Sequence, residues 1–241
     1  MTSAAQTSLV DTNGAFGDRW QTNAIAVLAG AVTSEAQRQA VWRVLARTVT
    51  TRKPSDIITP YYGSYLLSAM AALGHRAEAL AWMRFYWGGM LDAGATSFWE
   101  AWDPAWAGPD PHAHLQADDK VGYYASLSHG WSSGPAAWLI EQILGLTPLT
   151  PGYRRIQIQP DLAGLQWAQG AIATPHGAVR VEVATQHITI TIPAGISAEV
   201  RLPAGQWTCN GRALANRSAS DDRIRIPWNQ PVPLDCVRQT P

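Results

Sequence analysis

The sequence predicts an α+β chain in two parts, helical hairpins followed by an antiparallel β-sheet domain. Up to about residue 144, apolar residues recur at helical spacing between capping residues. From LTPLTPGYRR onward the pattern changes to period two. RRIQIQP, GAVRVEV, HITITIP, AEVRLP and RIRIP alternate apolar and polar residues between Gly and Pro turns. Such strands indicate a sandwich or a barrel, and the change in pattern divides the chain near residues 146–152.

Five helices are predicted in the first part: RWQTNAIAVLAG, EAQRQAVWRVLARTV after the cap Ser34, PYYGSYLLSAMAALG, RAEALAWMRFYWGGML and SSGPAAWLIEQIL. Pro60 suits the first turn of the third helix, and Gly74 suits its C-terminal cap. Because only a Gly-His step joins the third and fourth helices, they are expected to form an antiparallel hairpin. Residues 93–130 lack periodicity, and a long irregular segment of this kind tends to be functional.

Composition excludes several classes of protein. Lys+Arg and Asp+Glu both number 18, which is unlike the basic stripe of a nucleic-acid-binding protein. No apolar stretch approaches the roughly 20 residues of a membrane-spanning helix, so no membrane partner is expected. Cys209 and Cys236 lack the spacing of a zinc site and are expected to be reduced. With no phosphate loop or GxGxxG motif either, neither a metal nor another cofactor is predicted.

The N-terminus, MTSAAQTSLVDTNGAFGDRW, has neither the basic region nor the apolar core of a secretory signal. The sequence as written therefore predicts a cytoplasmic protein. A longer upstream region could carry a signal peptide, which would change this expectation.

Tryptophan is concentrated in one region, because seven of the 12 tryptophans lie between Trp82 and Trp138. Each can pack in a core or stack on the C–H face of a sugar. Within GATSFWEAWDPAW, aromatic rings surround Glu100, and a partly desolvated carboxylate there is suited to proton transfer. Alternatively, Glu100 caps a helix or pairs with Arg84. Asp103 precedes a proline and is expected to start a turn.

His129 is the most informative histidine, because SLSHGWSSGP lies between the long loop and the start of a helix. Its imidazole could hydrogen-bond a ligand hydroxyl, or it could be satisfied by the local backbone. His112 and His114 have no third metal ligand at a defined spacing and are interpreted as solvated loop residues.

Three segments resemble, in this order, the C-terminal stretch of bacterial α-L-rhamnosidases: YWGGMLDAGATSFWEAWDP, SLSHGWSSGPAAWLIEQILGLTPLTPGYRRIQIQPDL and LQWAQGAIATPHGAVRVEV. The resemblance runs from about Gln21 to Val183. It implies part of an (α/α)6 barrel over residues 1–146 and an antiparallel β-sandwich over residues 147–241. A lyase or phosphorylase on a similar barrel would explain the helices but not these ordered motifs.

The resemblance also implies an activity, the inverting release of terminal α-L-rhamnose from glycosides or oligosaccharides. Glu100 matches the family's general base and His129 its hydroxyl-binding histidine. Trp99, Trp102 and Trp131 would help to wall the pocket, where the rhamnose methyl group favours apolar contact.

Two departures from the family alter this expectation. The family's general acid belongs to an upstream segment with no counterpart here, and five predicted helices are fewer than the twelve of a complete barrel. We therefore expect a C-terminal portion that is inactive or marginally folded alone, with the rest of the barrel as one expected partner chain. The alternative is a non-catalytic carbohydrate-binding or companion subunit.

Overall fold

The structure, a computed structural model, describes residues 2–51, 59–103, 126–214, 223–230 and 232–239. The chain divides into two compact units, Met1–Trp138 and Leu139–Pro241. The helices come first and the strands follow, so the predicted fold class is confirmed.

The first unit is built from helices. Its longer helices are α1 (Thr2–Leu9), α2 (Trp20–Leu28), α3 (Glu35–Thr51), α4 (Pro60–Ala72) and α5 (Arg76–Asp92). Helix α1 was not predicted, because its Ala, Ser and Thr residues form no apolar stripe. The Gln6 side chain connects α1 to α3, since the Gln37 amide donates to its Oε1 at 2.6 Å.

Helices α4 and α5 form the predicted hairpin. Pro60 occupies the first turn of α4, and the chain reverses at Gly74, whose φ of +96° favours glycine. The two helices approach closely at Gly63, where a Cβ would lie 2.9 Å from Cη2 of Trp87. Large side chains of α5 thus form the core beside α4, among them Trp82, Tyr86, Trp87 and Met90.

The helix predicted over residues 132–144 is not one regular α-helix. A 3₁₀ turn at Gly130–Ser133 leads into the short helix α6 (Gly134–Trp138), and a π turn follows at Leu139–Ile143. Gly134 packs too closely on Ser64 for any side chain, because a Cβ there would lie 1.9 Å from Oγ. Helical periodicity in the sequence does not report contacts between helices, so it could not reveal this contact between α6 and α4.

The second unit contains two sheets. Its strands are β1 (Leu146–Pro148), β2 (Arg155–Ile158), β3 (Trp167–Thr174), β4 (Gly177–Ala184), β5 (His187–Thr191), β6 (Ser197–Pro203), β7 (Trp207–Cys209), β8 (Arg212–Leu214), β9 (Arg223–Trp228) and β10 (Leu234–Arg238). One sheet has the order β1-β2-β6-β9, and the other has the order β3-β4-β5-β10-β7-β8. Inward-facing residues of both sheets share one core, including Ile156, Val181, Ile190 and Val200.

The sheets are antiparallel with one exception among the described strands. Strands β2 and β6 pair in parallel, with Ile156 opposite Ala198. The five alternating segments that predicted strands correspond to β2, β4, β5, β6 and β9.

The prediction of reduced cysteines is wrong. Cys209 of β7 and Cys236 of β10 lie directly opposite each other and form a disulfide across 27 residues of sequence. The pairing of β10 with β7 brings them together, and that pairing is set by strand order rather than by cysteine spacing. Within the described ranges, no helix has the length and apolar character needed to cross a membrane.

Candidate active site

Two loop segments of the first unit lie side by side around Glu100. The Glu100 N–H donates to the Ser126 carbonyl at 2.8 Å, and the His129 N–H donates to the Phe98 carbonyl at 2.7 Å. The Ser97 hydroxyl also donates to the Leu127 carbonyl. These bonds join stretches that are about 30 residues apart in sequence, so the position of Glu100 depends on the tertiary fold.

Glu100 and His129 face each other across this pairing. The Nδ1 atom of His129 lies 3.6 Å from Oε2 of Glu100, and the same oxygen accepts the Ser126 N–H at 2.9 Å. Their side chains are 34% and 25% exposed, respectively, which leaves both within reach of a ligand. Among the described residues, the basic side chain that faces Glu100 is thus His129, and Arg84 forms no ion pair with it.

The three tryptophans predicted as pocket walls have different surroundings. Trp131 is 52% exposed, and its ring centroid lies 4.1 Å from that of His129. Trp102 is only 4% exposed and packs edge-to-face with Tyr86 at 5.4 Å. Trp99 is half-buried. The aromatic stretch thus contains a core residue, Trp102, two positions after the carboxylate.

Helix α5 supports both loop segments. Gly89 forms the surface on which Trp102 packs, because a Cβ there would lie 2.2 Å from Cζ2 of Trp102. Two residues earlier, the Trp87 indole N–H donates to the Ser132 carbonyl at 3.0 Å, close to the turn that follows His129. The positioning residues Trp87, Gly89 and Ser126 were not predicted from the sequence, although two adjacent glycines within a helix are a usable signal for Gly89.

The phenol of Tyr86 forms part of the buried support. Burial raises its pKa well above the ordinary value, and the nearby Asp103 carboxylate acts in the same direction. Tyr86 is therefore neutral at physiological pH and acts as an apolar packing residue with a polar tip.

The two histidines interpreted as solvated loop residues, His112 and His114, lie outside the described residues. Among the residues that are described, no group of three or more His, Cys, Asp or Glu side chains could coordinate a metal ion.

The helical-hairpin unit that carries this carboxylate, imidazole and exposed indole matches a six-hairpin glycosidase domain, which defines its class. Two family models match the chain and define its family more closely. The bacterial alpha-L-rhamnosidase 6 hairpin glycosidase domain matches residues 1–143, and the bacterial alpha-L-rhamnosidase C-terminal domain matches residues 145–213. The chain therefore belongs to the bacterial α-L-rhamnosidase family.

Curated relatives agree with this assignment. An alpha-L-rhamnosidase of Streptomyces avermitilis is 28% identical over 211 residues, which cover 83% of this chain and 20% of the relative. An alpha-L-rhamnosidase of Alteromonas sp. is 33% identical over 123 residues, covering 49% of this chain and 12% of the relative. The chain thus spans about a fifth or less of the length of these relatives.

Solved structures show the same fold. The crystal structure of Streptomyces avermitilis alpha-L-rhamnosidase complexed with L-rhamnose matches 98% of this chain and 23% of its own, with a TM-score of 0.73 and 21% identity. The alpha-L-rhamnosidase of Dictyoglumus thermophilum matches 99% of this chain and 28% of its own, with a TM-score of 0.77 and 17% identity.

Proposed function

We propose that this chain contributes the general-base part of an inverting α-L-rhamnosidase site, with Glu100 as the base. The observation that supports this most directly is the partly exposed Glu100 carboxylate, fixed through Oε2 by the Ser126 N–H and facing His129. Fixing one carboxylate oxygen orients the other, which accepts no hydrogen bond from the described residues. That second oxygen, Oε1, is suited to take a proton from an attacking water.

Inversion requires two carboxyl groups, about 6.5–9.5 Å apart. One protonates the leaving oxygen, while the other activates water on the opposite face of the sugar. We propose that the acid is supplied by a longer rhamnosidase polypeptide or by a separate chain, since this chain spans about a fifth of its Streptomyces relative. On this proposal the chain alone does not hydrolyse rhamnosides.

The remaining site residues would bind the sugar. With its Nδ1 directed at Glu100, His129 can present Nε2 to a rhamnose hydroxyl. The exposed ring of Trp131 can pack on the C6 methyl group or on a C–H face. Trp99 would contribute to the wall from a half-buried position, and Trp102 would support the wall from behind.

The decisive experiment is a chimera in which this chain replaces the matched region of the Streptomyces avermitilis relative. We expect the chimera to hydrolyse 4-nitrophenyl α-L-rhamnopyranoside. In the chimera, Glu100→Gln should reduce kcat by about 10²–10⁴-fold. The amide oxygen can still accept the Ser126 N–H, so the loop pairing and rhamnoside binding should be retained.

The matched control is Glu141→Gln, because Glu141 is an exposed carboxylate outside this loop pair. It should leave turnover unchanged. An E100Q chimera that turns over at the parental rate would eliminate Glu100 as the base.

A non-catalytic carbohydrate-binding subunit is a second candidate, favoured by the exposed indole of Trp131 beside His129. The two candidates differ in the chimera. If the chain is a binding subunit, calorimetry should show binding of methyl α-L-rhamnopyranoside, but the chimera should not hydrolyse rhamnosides. If the chain contributes the base, the chimera should both bind and hydrolyse them.

A further inference from the structure

Strand β10 is the last strand in the sequence, yet it lies in the middle of the larger sheet. It pairs with β5 on one side and with β7 on the other. Strands β7 and β8 have three residues each, and within the described sheet only β10 connects them to the other strands. Because a two-stranded hairpin of this length is at best marginally stable alone, the β7–β8 hairpin depends on its pairing with β10.

The Cys209–Cys236 disulfide lies within this pairing. Strands β7 and β10 pair over three positions, and the two cysteines form one of the three opposed pairs. Their Cα atoms are 4.1 Å apart, the close spacing of a non-hydrogen-bonded cross-strand pair. The bond therefore links the last strand covalently to a part of the sheet that has little pairing of its own.

Burial indicates that this disulfide is structural and not redox-active. Cys209 and Cys236 are 5% and 1% exposed and belong to the same core as Trp207. Redox-sensing and catalytic cysteines, in contrast, are accessible to solvent and to partner thiols. In the folded β unit both sulfur atoms are shielded from small thiols.

The same shielding restricts when the bond can form. A thiolate of one cysteine attacks the disulfide of an oxidant such as oxidised glutathione, and the second thiolate then displaces the oxidant from the mixed disulfide. The two cysteine thiols lose two electrons and two protons, and the disulfide of the oxidant becomes two thiols. Because both attacks need accessible sulfur atoms, oxidation precedes or accompanies the insertion of β10 between β5 and β7. The oxidant must therefore be present where the chain folds.

A reducing cytosol does not meet this requirement. Thiol-reducing systems there keep cysteines reduced, whereas disulfides form and persist in the periplasm and in secreted proteins. Without the bond, loop-closure entropy predicts a folded-to-unfolded ratio that is about 10²–10³-fold lower. Family membership does not imply the bond, because the matched C-terminal domain covers residues 145–213 and so includes Cys209 but not Cys236.

We propose that the polypeptide containing this chain matures in an oxidising compartment outside the cytosol, where the Cys209–Cys236 bond fixes β10 in the sheet. This location differs from the cytoplasm, which the sequence as written predicts. It follows from the β unit alone and does not depend on the role of Glu100.

Thiol trapping in the cells that produce the full-length polypeptide tests the location directly. Acid quenching and iodoacetamide block free thiols, and trypsin then releases residues 202–212 with Cys209 and residues 226–238 with Cys236. We expect the two peptides to stay joined until they are reduced, and the polypeptide to be recovered outside the cytosol. Recovery of the polypeptide in the cytosol, or of both cysteines in alkylated form, overturns the inference.

Production of this chain in a bacterial host, with and without a periplasmic signal peptide, tests whether the bond matters for folding. In the periplasm the unmodified chain should outlive the Cys209→Ala/Cys236→Ala variant in a pulse-chase experiment. In the cytosol, where both thiols should be free, the two lifetimes should be similar. Equal lifetimes in the periplasm, or a disulfide formed to the same extent in both compartments, contradict the proposal.

Cysteine-selective ¹³C labelling covers the case in which the helical unit does not fold alone. The Cβ chemical shift distinguishes a thiol from a disulfide, so it reports on the β unit of the complete chain. After refolding in an oxidising glutathione buffer, both cysteines should give disulfide shifts, and these should persist in dithiothreitol without urea. Thiol shifts under either condition would show that the bond is not built into the fold and would refute the inference.

Discussion

Two adjacent glycines of α5 provide a sensitive test of how Trp102 is positioned. A Cβ added at Gly88 meets nothing within 4 Å, whereas one added at Gly89 would lie 2.2 Å from Cζ2 and 2.3 Å from Cη2 of Trp102. Contacts this short require Trp102 or its segment to move. Alanine substitution at the two positions should therefore have opposite effects.

The expected magnitudes follow from helix propensity and packing. Both glycines lie inside the helix, so Gly→Ala at either position gains about 0.5–1 kcal/mol in the free energy of unfolding. At Gly89 the overpacking of Trp102 costs about 1–3 kcal/mol. Because the propensity gain is common to both variants, Gly89→Ala should be less stable than Gly88→Ala by about 1–3 kcal/mol.

Urea unfolding followed by near-ultraviolet circular dichroism measures this difference. The Gly88→Ala variant should have the higher urea midpoint. If the dependence of the unfolding free energy on urea concentration is the same for both variants, the midpoints differ because stability differs. Because Trp102 lies two residues after Glu100, Gly89→Ala should also weaken binding of methyl α-L-rhamnopyranoside, and Gly88→Ala should not. If Gly89→Ala is as stable as Gly88→Ala and binds equally well, the packing of Trp102 on α5 is not what positions Glu100.

Two further predictions concern the β unit. Replacing Cys209 and Cys236 by alanine should lower the free energy of unfolding by about 3–4 kcal/mol, because the disulfide closes a loop between residues 27 apart; a urea midpoint unaffected by dithiothreitol would contradict this. Gly145→Ala should lower the melting temperature more than Gly152→Ala. Both glycines have a φ near +70°, but only at Gly145 would a Cβ meet backbone, 1.9 Å from the Gln159 carbonyl oxygen. Equal melting temperatures would show that this contact relaxes without cost.

The fold was predictable wherever local pattern and tertiary structure agree. Pro60, Gly74 and helical spacing specify the α4–α5 hairpin, and alternation specifies five of the strands. Strand β3 has a glycine at its centre and an inward face that is only half-buried, so its pairing with β4 gives little sequence signal. The parallel pairing of β2 with β6 and the Cys209–Cys236 disulfide depend on strand order, which residue spacing does not encode.

The candidate site was predictable in its polar residues and not in its aromatic ones. Glu100 and His129 stand out because a charged or titratable side chain among aromatic rings is unusual in sequence. Trp102 and Trp131 look equivalent in sequence, yet one is buried and the other exposed. The difference arises because Gly89 leaves room for one indole on the surface of α5, and that room exists only after the chain folds.

The relative position of the Glu100 and His129 side chains therefore depends on helix α5 as much as on the loops that carry them. Trp87 binds the Ser132 carbonyl beside the His129 turn, and Gly89 accepts Trp102 beside Glu100, so two neighbouring positions of one helix support both halves of the pair. A site positioned by a helix is held more precisely than one held by loops alone. Displacement of either support should consequently change the 3.6 Å separation of Nδ1 and Oε2, even though neither Trp87 nor Gly89 belongs to the pair itself.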